Sequence, residues 1–252
     1  MILLSDCDKY KGLYFYPHYV LEEWDESWID NLIKLIEDVS IILKKYIIVP
    51  NNIPMVLVPA PLCPSIKASI HKSKEIIAST FKQYIILFVQ DKHFFWADYL
   101  IHEMFHYSVF QCTSNNYIMP DWFNESIAYY LTDKYSKNSV TQIFRNNAFI
   151  EMGVLLKGYN KIIMELLLND KLESNQKLNK THKYCIYKTM GEFIYTIFHE
   201  NEMKSFYTTL SSSYDFNQLL KEHFAISVKE LILKWIDRIE KEYEQTRVAF
   251  DF

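Results

Sequence analysis

From Asp121 to the end of the chain the apolar residues recur with the period of an α-helix, whereas every strand-like run lies before residue 91. That segregation is the strongest constraint on the fold, because it implies an α+β lobe followed by a helical one. In the first part, residues 22–46 carry Trp28, Leu32, Leu35, Ile36, Val39, Ile42 and Leu43 at the spacing of an amphipathic helix. "IPMVLVPA" (53–60), "SKEIIAST" (73–80) and "QYIILFVQ" (83–90) read as strands. A further helix is expected from near Ala97. Beyond it the spacing predicts helices at 122–135, 139–156, 160–168, 183–199, 202–211, 215–223 and 227–245. Asp121 is placed to cap the first of these, and Ser227 with Glu230 has the pattern of a capping box. There is no internal repeat, low-complexity tract or Gly/Ser linker, and the chain has only four glycines. The expectation is one unit over 1–252, with an α/β lobe at 1–111 and a helical lobe at 112–252.

Composition excludes several classes. With 252 residues, 50% of them hydrophobic, the chain can bury a sizeable core. A net charge of −4 gives no electrostatic footprint for nucleic acid or an anionic membrane surface. Aromatic residues reach 16%, which reads first as bulky core packing. "MILLSDCDKYKGLYFY" lacks a small-residue cleavage site and does not read as a signal peptide. No run approaches the roughly 18–20 apolar residues of a spanning helix. Cys7, Cys63, Cys112 and Cys185 are scattered without a C-x-x-C pair, as reduced thiols would be. These features point to a soluble cytoplasmic protein without nucleic-acid or membrane partners. Oligomeric state has no signature.

The stretch that carries chemistry is "YLIHEMFHYSVF", residues 99–110. On a helix, His102 and His106 lie about 40° apart and about 6 Å along the axis, so two imidazoles can converge on one metal ion. Glu103 is turned about 100° from His102. It borders such a site without reaching the metal, the position of a base acting on a polarised water. The motif arises by chance in roughly one or two chains per hundred of this length. Its context sharpens it. Leu100, Ile101, Met104, Phe105, Val109 and Phe110 make the helix apolar nearly all round. Two histidines and a carboxylate are costly there unless partnered, either by a metal or by structural hydrogen bonds.

A catalytic zinc site needs a third protein ligand. Glu125 in "PDWFNESIAYYLTDKY" is the candidate, near the start of a helix otherwise apolar at Trp122, Phe123, Ile127, Ala128 and Leu131. A glutamate there also suits the helix dipole, which is the plainer reading.

H-E-x-x-H, eighteen intervening residues (107–124), then Glu in a W-F-N-E-S-x-A context resembles the gluzincin pattern. It is the spacing of the zinc aminopeptidase and leukotriene-hydrolase family and of the broader peptidase MA-like proteins. The likeness spans about 97–199. It implies zinc bound by His102, His106 and Glu125, with Glu103 as general base. The family also has a tyrosine some sixty residues beyond the glutamate ligand, which donates to the developing oxyanion. "CIYKTMGEFIYTIFHE" places Tyr187 62 residues beyond Glu125. Tyr184 and His182 are rivals for that role, and core packing is the plainer reading of Tyr187.

The resemblance implies a thermolysin-like zincin domain, with a small sheet in the N-terminal lobe, an all-helical C-terminal lobe and Zn²⁺ as cofactor. The implied activity is hydrolysis of a peptide or protein substrate by a zinc-bound water that Glu103 activates. One departure bears on specificity. The Gly-x-Met-x-Asn stretch of zinc aminopeptidases has no counterpart before His102, and "SKEIIASTFKQ" offers only Glu75 as an acid. A restricted endopeptidase is therefore expected, with Glu75–Thr80 as an edge strand that an extended peptide could join. The alternatives are an aminopeptidase, a zinc hydrolase of a non-peptide substrate, and a catalytically silent zinc-binding regulatory module.

Overall fold

Met55–Pro59 (β3) and Ile85–Val89 (β5) are continuous apolar runs, and nearly every residue in them is buried. Such runs suit strands covered on both faces. The structure is a computed structural model that describes residues 2–16, 24–59, 62, 64–66, 78–89, 96–113, 119–136, 139–210 and 215–250. It is mixed α+β and divides into two compact units, Met1–Cys112 and Thr113–Phe252.

In the first unit, Asp8–Tyr10 (β1) and Leu13–Phe15 (β2) form an antiparallel hairpin at one edge of a sheet that has five strands among the described residues. The turn is Lys11–Gly12, both at positive φ (48° and 86°), which matches the twist of a two-residue hairpin. This hairpin was not expected from the sequence, because three-residue strands are too short to show alternation. β2 pairs parallel to β3, and β3 parallel to β5. Ala78–Thr80 (β4) lies antiparallel on β5 and forms the other edge. The rest of the expected strand at 73–80, including Glu75, lies outside the described residues. Val56, Val58, Ile86 and Phe88 alternate onto one face, where they cluster with Ile2 and Tyr84.

Glu26–Leu43 (α1) is shorter than the expected 22–46. Asp25 caps it, its carboxylate accepting from the Ser27 N–H at 2.9 Å. α1 buries Ile29, Leu32, Val39 and Leu43 and packs against Trp96–Cys112 (α2), the helix of the histidine motif.

The second unit contains, among the described residues, Asp121–Tyr135 (α3), Ser139–Leu168 (α4), Lys180–Ile197 (α5), Glu200–Thr209 (α6), Phe216–Phe224 (α7) and Val228–Phe250 (α8). Three expectations are corrected here. The helices expected at 139–156 and 160–168 are one, α4. Met152, Leu156, Ile163 and Leu167 are all buried at 1% exposure or less, so one packed stripe runs past Gly158. A glycine costs a helix only about 1 kcal/mol, which that burial outweighs. Asp121 is not the cap of α3. Pro120 holds that position, and its carbonyl accepts from the N–H groups of Phe123 and Asn124. α5 starts three residues earlier than expected because the Asn179 side chain accepts from the His182 N–H at 2.8 Å. The Ser227–Glu230 box forms as read, the Ser227 N–H donating to Glu230 and the Glu230 N–H to Ser227 Oγ.

α3 and α5 approach unusually closely. A Cβ placed on Gly191 would sit 2.1 Å from the backbone oxygen of Ser126, so only glycine permits the contact. No helix among the described residues is long and apolar enough to cross a membrane.

Candidate metal centre

The two histidines converge as their spacing requires. His102 Nε2 and His106 Nε2 are 3.0 Å apart, with ring centroids at 4.6 Å and planes at 82°. Two nitrogens on one tetrahedral zinc, each about 2.0–2.1 Å from it, would be roughly 3.3 Å apart. The pair is therefore close to the separation an ion imposes. His106 is buried at 7% exposure, and Leu100, Ile101, Met104, Phe105 and Val109 bury the rest of the helix around it.

Glu103 is half-buried on the same helix. The Thr80 hydroxyl, on β4, donates to its Oε2 at 2.6 Å and to its backbone oxygen at 2.8 Å. The same helix holds the β4–β5 turn at a second point. Gln111 Nε2 donates to the Lys82 carbonyl at 2.9 Å, and the Phe81 N–H donates to the Tyr84 carbonyl to close the turn.

Glu125 sits half-buried on α3, flanked by the fully buried Trp122, Phe123, Ile127 and Ala128. Among the described residues, His102, His106 and Glu125 are the group able to hold a metal ion. Each offers one ligand atom, and these atoms lie within 4.8 Å of one another. Two imidazoles and a carboxylate are the donor set of a catalytic zinc site, so the residues fit the ion.

The oxyanion candidates all lie on α5. Tyr187 is buried at 2% exposure, and its ring stacks on Tyr129 at 5.7 Å and 10°. Its hydroxyl donates to the Glu173 carboxylate. Burial first, then the Glu173 hydrogen bond and charge, push its pKa far up, and the nearby Glu125 charge adds to this. Tyr184 stands edge-on to Tyr129, with its hydroxyl 3.4 Å from both Asp133 oxygens, and burial pushes its pKa up as well. His182 lies in the first turn of α5, and its buried Nδ1 has no hydrogen-bond partner among the described residues.

Several residues of this region escaped sequence reasoning. Lys188 is fully buried on α5 and donates to Asp133 of α3, itself 5% exposed. A charge at a position the helical period marks as core was the available signal for both. Thr80 and Glu173 had none. Comparison with protein-family models, with curated proteins and with solved structures finds no match.

Proposed function

We propose that the chain is a zinc-dependent hydrolase of the gluzincin type, acting on peptide bonds, with a thermolysin-like arrangement around the metal. The His102, His106 and Glu125 group carries this reading. An ion held by these three residues would supply Lewis acidity, lowering the pKa of a water towards 7 and drawing charge from the substrate carbonyl. Glu103 would take one proton from the attacking water as its oxygen adds to the carbonyl carbon. It would return that proton to the nitrogen as the C–N bond breaks. Tyr187 is the first candidate to donate to the oxyanion, and it can do so only once its hydroxyl has left Glu173. Tyr184 and His182 remain its rivals.

A restricted endopeptidase is favoured because β4 is an edge strand, and an extended peptide can join such an edge through its main chain. The deciding experiment is metal analysis of the purified protein beside Glu125→Ala. About one zinc per chain is expected, as a three-ligand site holds one ion, with binding lost or much weakened in the variant. A wild-type protein that stays metal-free after reloading with zinc would end the hydrolase reading.

A further inference from the structure

The Glu103 carboxylate has two oxygens, and the fold treats them differently. Oε2 accepts from the Thr80 hydroxyl at 2.6 Å. Oε1 has no hydrogen-bond partner among the described residues. Thr80 has one hydroxyl proton and faces two acceptors, because the Glu103 backbone oxygen is also 2.8 Å away. A proton shared in this three-centre way ties the carboxylate and the backbone oxygen of Glu103 to one hydroxyl, which restricts the side-chain torsions. Thr80 is itself held. It ends β4 opposite Ile85, and the turn that follows is tied to the far end of α2 through Gln111 and Lys82.

We propose that Thr80 is a positioning residue for Glu103, selecting Oε1 as the oxygen that exchanges protons with the attacking water. The inference rests on the hydrolase reading above. A flexible glutamate can offer either oxygen in several rotamers, only some of which meet the water. Binding Oε2 to a rigid strand removes that freedom before substrate arrives. A base so held gains rate by orientation, and displacement by about 1 Å can cost on the order of 100-fold. Proton balance is unchanged: Oε1 accepts from water and gives the same proton to the leaving nitrogen.

The test compares Thr80→Val, which keeps the shape and removes the hydroxyl, with Thr80→Ser, which keeps the hydroxyl, and with Glu103→Gln. The full-length zinc-loaded protein is assayed on a quenched-fluorescence peptide library. Thr80→Val should lower kcat by about 10- to 100-fold with KM within about twofold, while Thr80→Ser stays within about threefold of wild type. Metal content should be equal in all four proteins. An unchanged kcat in Thr80→Val overturns the inference, as does a loss carried by KM or shared equally by the serine variant.

A second readout needs no turnover. The infrared difference between ¹³C-glutamate-labelled protein and its Glu103→Gln variant isolates the Glu103 carboxylate stretch. Thr80→Val should shift that band and Thr80→Ser should leave it in place; a band unmoved in the valine variant also overturns the inference. Activity retained by Glu103→Gln would instead remove the general-base reading, whatever Thr80 does.

Discussion

Charged residues that a helical period places in the core are where single side chains have the largest consequences in this protein. Lys188 and Asp133 are 0% and 5% exposed, and each gives the other its compensating charge. Tyr184 adds a long contact to both Asp133 oxygens, and the Lys188 ammonium also lies 5.9 Å from the Tyr184 ring centroid. Removing one member of such a pair leaves an uncompensated buried charge and costs about 3–5 kcal/mol. Lys188→Met should therefore lower the urea unfolding free energy by about that amount. Lys188→Met with Asp133→Leu should recover most of the loss, because the double change leaves no charge behind. If the single and double variants were equally unstable, packing rather than charge would be the cause. The pair lies on the two helices that carry Glu125 and Tyr187, so it also fixes their register.

At the scale of elements, α3 and α5 are brought together by what Gly191 lacks. Any side chain there meets the Ser126 carbonyl, which belongs to the backbone one residue from Glu125 and cannot swing aside. Overpacking of this kind costs about 1–3 kcal/mol and occasionally more. Gly191→Ala should destabilise by at least the upper part of that range and weaken zinc binding, since α3 must shift with Glu125 on it. Gly158→Ala is the control: a Cβ there meets nothing within 4 Å. It should be neutral or slightly stabilising through helix propensity. Thermal melts of both variants beside their zinc affinities would check this. A Gly191→Ala protein with wild-type affinity would show that α3 does not move.

At the scale of the whole molecule, burial of many weakly acidic groups sets the response to alkali. Burial, and then the Glu151 charge, raise the Cys185 thiol from an ordinary value of 9.0 to about 11 against the opposing Lys188 charge. Burial pushes Tyr107, Tyr184 and Tyr187 the same way. The folded chain then holds protons that the unfolded chain has released, so stability falls as pH rises. For Cys185 this contribution is fully present below pH 9.0 and is lost as pH climbs to about 11. Urea midpoints should decline across that window, and Cys185→Ala should make the decline shallower. An identical slope in the variant would assign the effect to the buried tyrosines and to the Cys7 and Cys112 thiols, which burial also raises.

By itself the sequence determined the segregation of strands before residue 91 from helices after Asp121, the convergence of His102 and His106, and the Ser227–Glu230 cap, but not the short β1–β2 hairpin. Each depends on residues within a turn or two of one another, where helix geometry and local hydrogen bonds decide the outcome. Local rules misplaced α4 at Gly158 and Asp121 at its helix start, because packing from elsewhere outweighed a weak propensity and a proline took the cap. Only the tertiary structure decided the partners of the candidate site. Thr80 meets Glu103 across 23 residues, Glu173 meets Tyr187 across 14, and Lys188 meets Asp133 across 55. Periodicity can mark a charge as buried, as for Lys188 and Asp133, but it does not say which residue pairs with it, since that energy is realised only after the intervening chain has been ordered at its full entropic cost.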